Sequence, residues 1–549
     1  MPQLGANPAG KEAWSDSAAS PRLILSFGGG LNENVSPTLD ECTYGYNFDL
    51  KANRPSLVQR QPFNTMGTAP NAGGVSAILQ LIKRDATVTM LVCAGTVVYE
   101  WDGASTFTVK GSVSAIALLR AAYWSLGDYL VIADRNKLNP VKTWDGTTFA
   151  NMVTGLGNAL YAAYVFVFNS RVWLFNITVG STKYPHMILV SKFEDPTVWD
   201  PTARGGASTV GGGTFSTGLE AFYLLTPDEH PINGVEVFQN VLIISTLAGS
   251  VWQLSGTSAK DYQFTQFHAD FPPITGEGMK AVGNDVVTMS SGGHITMLYA
   301  VQAFGDALST DLAYWLPVTL PQVTTLNCIV HDIERERVLF FVDDRVLVLF
   351  KELLAQDRAQ TAGKPSPWSV YLSDYPSGFS TLHADYLLIP NTTTYTVMWG
   401  GPDGDVYNLN GAGNQDASSV DIRCARRSRH IGTEIQGMNP WPWIDENITG
   451  HVRYRRLNVA SFSVEFEWDD EMSTTQTDLI LKGPSPADSP VYFGGAFYFG
   501  GPIYFGQGFA GIARVASQNI EPGGKGPGFY LTVSSNAGKQ IQVDAIELD

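Results

Sequence analysis

Hydrophobic residues in this chain fall in short β-branched and aromatic runs, each cut off by Gly, Asp or Asn, the pattern of strands joined by tight turns. Between about residues 70 and 420 the runs follow closely: 235–238, 241–245 and 250–254, then 286–289, then Arg337–Val342 and Arg345–Phe350. Asp343-Asp344 separates the last two and reads as a hairpin turn between strands apolar enough to be covered on both faces. The most apolar stretch, 160–179, is broken by Asn169-Ser170-Arg171. It therefore predicts two strands and a turn, too polar in the middle to span a bilayer.

One pattern repeats. Trp101-Asp102-Gly103 followed by Phe107 returns as Trp144-Asp145-Gly146 followed by Phe149, a spacing of about 43 residues, the length of one β-propeller blade. Each copy reads as a hairpin turn with a packed tryptophan. The Asp stands beside a turn glycine, and the Ser-x-Asp-x-Gly-x-Thr-Trp boxes of sialidase-like propellers are missing. About 350 residues at about 45–50 per blade predict about seven blades, within a range of six to eight.

Beyond residue 420 the pattern changes. Phe462, Val464, Phe466 and Trp468 alternate with Ser461, Ser463, Glu465 and Glu467, and Phe529, Leu531 and Val533 repeat the alternation, as do Ile541 and Val543, with a bulge suggested at Ala545-Ile546. The expected fold is all-β: a β-propeller with a C-terminal antiparallel β-sandwich platform joined by the N-terminal segment. The expected boundaries are a flexible arm over 1–25, a segment over 26–65 pairing with the platform, the propeller over 66–420 and the platform over 421–549.

Composition narrows the function. With 55 Gly, 30 Pro and 11% aromatics the 549-residue chain suits a turn-rich β protein of more than one domain. Charged residues make up only 16%, so either much of the surface sits in an assembly or Gly- and Ser-rich loops cover it. The formal charge of −17 lacks the basic footprint needed to grip nucleic acid. A like-charged wall lets a polyanion slide past; ordinary solubility charge is the other explanation. Cys42, Cys93, Cys328 and Cys424 form no CxxC pair, so neither a disulfide framework nor a zinc ribbon is expected. The start of the chain has no basic-then-apolar signal pattern, so secretion by the usual route is not expected.

Against the acidic background, Arg423, Arg426, Arg427, Arg429, Arg453, Arg455 and Arg456 form a strip without a single lysine. Arginine suits bidentate interface pairing, so the strip is a candidate interface with acidic neighbours or phosphate, the other reading being a solvated sheet face and loop. Tyr492-Phe493-Gly494, Tyr498-Phe499-Gly500 and Tyr504-Phe505-Gly506 make a short repeat with an even period. It reads as a hairpin packed on its own sandwich or as an aromatic docking tip that presents Tyr498 and Tyr504.

Catalytic patterns are missing. No two of the eight histidines lie within a helical turn of each other, and neither HExxH nor GxSxG occurs. The glycines around Lys525 run into a strand rather than a helix and read as a loop, not a phosphate cradle. Glycoside hydrolysis needs only two carboxylates, and Asp228, Glu229, Asp332 and Glu334 are available, but nothing selects a pair. No catalytic residue, cofactor or metal is expected.

Three segments resemble one family. Phe27-Gly28-Gly29-Gly30-Leu31-Asn32, then Val35-Ser36-Pro37, Leu39, Glu41, Tyr46-Asn47-Phe48-Asp49-Leu50, Arg54-Pro55 and Arg60-Gln61-Pro62-Phe63 are similar to the opening of tail proteins of short-tailed phages. Ser191, Asp195-Pro196 and Trp199 resemble a blade of the same proteins. The C-terminal order of Arg-rich strand, aromatic strand, Tyr/Gly hairpin and final Ile541-Gln542-Val543 strand is the third likeness. The family is the podophage tail nozzle, or tail tubular protein B. The resemblance implies a non-enzymatic virion protein, assembled in the host cytoplasm and located in the tail. It implies a homo-hexamer below the portal-adaptor ring, with a tail fibre or tip protein as a further partner, a lumen that DNA crosses without specific binding, and no membrane insertion. A propeller acting on or binding cell-surface glycan, and a cellular WD-type scaffold, are the competing classes.

Overall fold

The computed structural model describes residues 23–25, 29–34, 41–51, 54–71, 73–114, 117–199, 219–268, 277–290, 293–298, 312–354, 366–409, 415–417, 420–422, 424–428, 450–455, 460–468, 474–481, 515–520, 529–535 and 542–548. The chain divides into two compact units: residues 1–60, 365–369 and 421–549 form one, and 61–364 and 370–420 the other.

The larger unit is a seven-bladed β-propeller. Blade 1 is Val75–Ile82, Val88–Ala94, Val97–Trp101 and Phe107–Ser112; blade 2 is Leu119–Trp124, Tyr129–Asp134, Lys142–Trp144 and Phe149–Asn151. Blade 3 is Leu160–Phe168, Arg171–Val179, Thr182–Val190 and Phe222–Leu225, and blade 4 is Ile232–Phe238, Val241–Thr246, Val251–Ser255 and Gln263–His268. Blade 5 has three described strands, Met279–Val282, Asp285–Met289 and Ile295–Met297. Blade 6 is Leu326–Asp332, Arg337–Val342, Arg345–Phe350 and Trp368–Tyr371; blade 7 is Ala384–Leu388, Tyr395–Gly400 and Asp405–Leu409, completed by Phe63–Thr68 from far earlier in the chain. The first strand of each blade touches the first strand of the next, and that of blade 7 touches that of blade 1, so the ring closes. Phe63, Asn64 and Thr65 were expected in the platform segment. Their strand instead belongs to the propeller, because it supplies the backbone partners that Asp405–Leu409 would otherwise leave open.

Local chemistry explains the turns. Asn169 and Ser170 take φ of 49° and 54°, the two-residue hairpin geometry that matches strand twist, and split 160–179 into two strands as expected. Asp343 takes φ of 47° in the turn before Arg345–Phe350. The Trp-Asp-Gly copies join the third and fourth strands of blades 1 and 2. Asp102 Oδ1 accepts from the amides of Ala104 at 2.8 Å and Thr106 at 3.0 Å, and Asp145 Oδ1 accepts from those of Thr147 at 2.8 Å and Thr148 at 2.7 Å. Gly103 and Gly146 follow at φ of 85° and 88°.

The core lies between blades, since a four-stranded sheet buries its faces only against its neighbours. Trp173 of blade 3 meets Phe222 at 5.9 Å and Tyr262 of the blade 4 side at 5.0 Å between ring centroids, all fully buried.

The smaller unit consists of two antiparallel sheets, each drawing strands from both ends of the chain. One runs Phe48–Lys51, Arg54–Gln59, Gln542–Leu548, Gly450–Arg455, Val515–Ile520, with Leu23–Leu25 also pairing Gln542–Leu548. The other runs Cys42–Tyr46, Cys424–Ser428, Phe529–Ser535, Ala460–Trp468, Thr474–Leu481. Leu23–Leu25, expected in the flexible arm, is a paired strand instead, opposite Ile546, Glu547 and Leu548. Register sets Val464 opposite Val533, Phe466 opposite Leu531 and Trp468 opposite Phe529, so the two alternating patterns in the sequence coincide on one sheet. The register skips Asp544 between Val543 and Ala545, a bulge one residue ahead of the expected Ala545-Ile546. Among the described residues no helix is long and apolar enough to cross a membrane.

Candidate functional site

Propeller axes are lined by the first strand of every blade, and apolar side chains are the default there. Besides Asp332, which ends the blade 6 strand in an ion pair described below, four of these strands break the default with a charged residue: Arg120 in Leu119–Trp124, Glu236 in Ile232–Phe238, Lys280 in Met279–Val282 and Asp385 in Ala384–Leu388. Arg120 Nε meets Glu277 Oε1 at 2.8 Å, joining blade 2 to the start of blade 5, three blades away in a ring of seven. Lys280 Nζ lies 3.8 Å from Asp385 Oδ1, joining blades 5 and 7. Gln80 Nε2 of blade 1 donates to the Leu388 carbonyl of blade 7 at 2.5 Å.

The charges are mutually tuned. Asp385 holds the Lys280 ammonium above its ordinary pKa, with Glu236 and Glu277 adding to the effect. Burial pushes the Glu236 carboxyl up to about 7, which Lys280 only partly offsets. At the same level burial pushes the Cys328 thiol up to about 12, so it is no nucleophile at neutral pH. Burial also drives His383 well below its ordinary value. Its Nδ1 accepts from the Ile78 amide at 3.2 Å, which fixes a neutral ring. Burial and then Lys351, whose Nζ is 3.2 Å from Nε2, lower His331 to about 4.

Two of the available carboxylates are engaged by neighbouring side chains. Asp332 is buried in an ion pair with Arg337 at 2.8 Å, and Arg337 donates on to the Tyr371 hydroxyl at 2.7 Å. Asp228 caps a turn, accepting from the Thr246 hydroxyl at 2.6 Å. Among the described residues no group of three His, Cys, Asp or Glu could hold a metal ion.

The arginine strip separates into faces. Arg426 and Arg427 are consecutive in Cys424–Ser428, opposite Gly45 and Tyr44, so they point to opposite sides. Arg426 is 3% exposed and its guanidinium lies 5.6 Å from the centre of the Phe48 ring. This corrects its place in the expected interface: it packs inside the unit. Arg427 is partly exposed beside Tyr44, itself 57% exposed. In the strand Gly450–Arg455, Arg453 and Arg455 stand in register with Ser517 and Val515. Arg423, Arg429, Arg456, Tyr498 and Tyr504 lie outside the described residues.

The N-terminal motif residues hold the same unit together. Gly30 donates its amide to the Ser366 carbonyl at 2.6 Å, and a Cβ there would come within 2.1 Å of the Trp368 carbonyl oxygen, so only glycine fits. Asn32 Nδ2 donates to Glu41 Oε2 at 2.8 Å, and Glu41 Oε1 accepts from the Ser366 amide at 2.5 Å. Asn47, at φ of 60°, accepts from Arg60 Nε through Oδ1 at 2.8 Å and from the Arg60 amide at 2.9 Å.

No protein-family model matches this sequence, and no curated protein matches it. Solved structures similar to it include the WD40 repeats of RRP9, at 9% identity and a TM-score of 0.38 over 64% of this chain and 99% of that one. A streptogramin B lyase is similar at 7% identity and 0.38, over 63% and 97% of the two chains. The computationally designed Ika8 protein is similar at 14% identity and 0.35, over 63% and 99%. At this level the fold rests on the strand pairing described above, and nothing of those proteins' activities transfers.

Sequence reasoning missed the axial cluster. The available signal was a lone charge inside an otherwise apolar first strand, recurring in blades 2, 4, 5 and 7.

Proposed function

We propose that this chain is a structural virion protein, the tail nozzle of a short-tailed phage. Six copies form a ring below the portal-adaptor, with a fibre or tip protein as a further partner, and their common acidic lumen retains and then releases genomic DNA. The observation that carries the reading is the use of the N-terminal motif. Gly30, Asn32, Glu41, Asn47 and Arg60, the residues behind the resemblance, are the polar framework of a unit built from both chain ends, with the propeller inserted between them. Two further features support it. The side chains meeting across the propeller axis leave no passage for a duplex inside one copy, so a conduit has to form between copies. The net charge of −17 disfavours retention of a polyanion.

Electron microscopy of the full chain mixed with its adaptor tests the proposal. A closed sixfold ring is expected, and the combined Arg453→Glu, Arg455→Glu and Arg456→Glu variant should stay monomeric with an unchanged circular dichroism spectrum. A wild-type chain that remains a monomer with the adaptor present overturns the reading.

A further inference from the structure

The two ion pairs that cross the propeller axis are unequal. Arg120 and Glu277 meet at 2.8 Å with side chains 16% and 18% exposed, whereas Lys280 and Asp385 stand 3.8 Å apart and are 35% and 40% exposed. The second pair is long and reached by water, so it holds weakly and a competing charge can displace it. It spans blade 5 to blade 7, and blade 6 between them contributes the Cys328 thiol, which stays neutral.

The charges do not balance. Lys280 is drawn first by Asp385 of blade 7, then by Glu236 of blade 4 and by Glu277, and Glu277 already serves Arg120. Lys280 is therefore shared between Asp385 and Glu236. The two carboxylates pull in different directions, since blade 4 adjoins blade 5 and blade 7 lies two blades away. A lysine ammonium on its flexible stem can serve either.

Glu236 decides which. Burial holds its carboxyl up to about 7, so it is neutral in mild acid and ionised in mild base. The charged groups facing it are Lys280, Asp385 and Glu277, with Arg120 behind Glu277. Over the same range Lys280 stays protonated, the Cys328 thiol and the Tyr164 hydroxyl of blade 3 keep their protons, and His331 and His383 stay neutral.

We infer that Lys280 is the moving part of a pH-sensitive joint: in mild acid it ties blade 5 to blade 7 through Asp385, and in mild base the ionised Glu236 draws it towards blade 4, which loosens the first strand of blade 7. The joint is independent of the nozzle assignment, since all of its groups lie within the propeller.

Hydrogen exchange of the full chain at pH 6 and pH 8, each amide corrected for its intrinsic rate, tests the joint. The amides of Ala384–Leu388 should lose protection about threefold to fivefold between pH 6 and pH 8, while those of Leu119–Trp124, on the tighter pair, keep theirs. Glu236→Gln carries a neutral group at both pH values and should keep the pH 6 protection at pH 8. Asp385→Asn removes the tie and should show the low protection at both. Unchanged protection of Ala384–Leu388 in the wild type, an equal loss over Leu119–Trp124, or a loss that persists in Glu236→Gln overturns the inference.

Discussion

Trp173 finds its partners Phe222 and Tyr262 in its own blade and the next, whereas Leu23–Leu25 finds its partner strand at the opposite end of the chain, at Gln542–Leu548. The contrast holds for both units. Propeller blades are hairpins whose neighbours in sequence are neighbours in space, so damage to one turn is shared among redundant contacts. The unit made from the chain ends depends on a few long-range junctions, and each is a single point of failure. Contact order gives the physical reason: long-range pairing takes the loop-closure entropy first and returns stability only when the last strand docks.

Gly30→Ala should sharpen this contrast most. The methyl group has no room beside the Trp368 carbonyl, so the thermal midpoint in calorimetry should fall by several degrees. A variant that melts like the wild type would remove the idea of a single point of failure.

A smaller effect is expected from Glu236→Gln in the propeller axis. The native carboxyl titrates at about 7 and the unfolded one near 4.5. Between these values the native state holds the extra proton, so wild-type stability falls as pH rises from 4.5 to 7 and stays low above. The variant lacks that loss and should gain about 1–3 kcal/mol at pH 8 and little at pH 4, read from urea unfolding at the two pH values. An equal gain at both would show that the carboxylate is not the cause.

The smallest effect belongs to the repeated turns. Asp102→Ala and Asp145→Ala each remove a carboxylate oxygen that accepts from two backbone amides at an exposed turn, and each should cost about 1 kcal/mol in denaturant unfolding. Unequal costs would mean that the two copies are not equivalent.

These differences also mark what was legible. The Trp-Asp-Gly turns, the Asn169-Ser170 hairpin and the alternation of Phe462 to Trp468 declare themselves because their geometry is set within a few residues. Phe63, Asn64 and Thr65 were misassigned because the partner of their strand, Asp405–Leu409, lies beyond the six intervening blades. Arg426 joined the wrong face because alternation in Cys424–Ser428 is visible only once Gly45 and Tyr44 fix the register. The axial charges stand on four separate blades, and closure of the ring alone brings them together.

Ring closure by Phe63–Thr68 also sets a clock. That strand leaves the ribosome before any blade exists and waits for Asp405–Leu409 to follow it. At about 5–20 residues per second the interval is tens of seconds. Throughout it both edges are open to pairing with other nascent chains. A cell making many copies at once therefore meets a risk of misassembly before the propeller closes, and slower initiation or a chaperone holding the early strand should raise the yield of closed propellers.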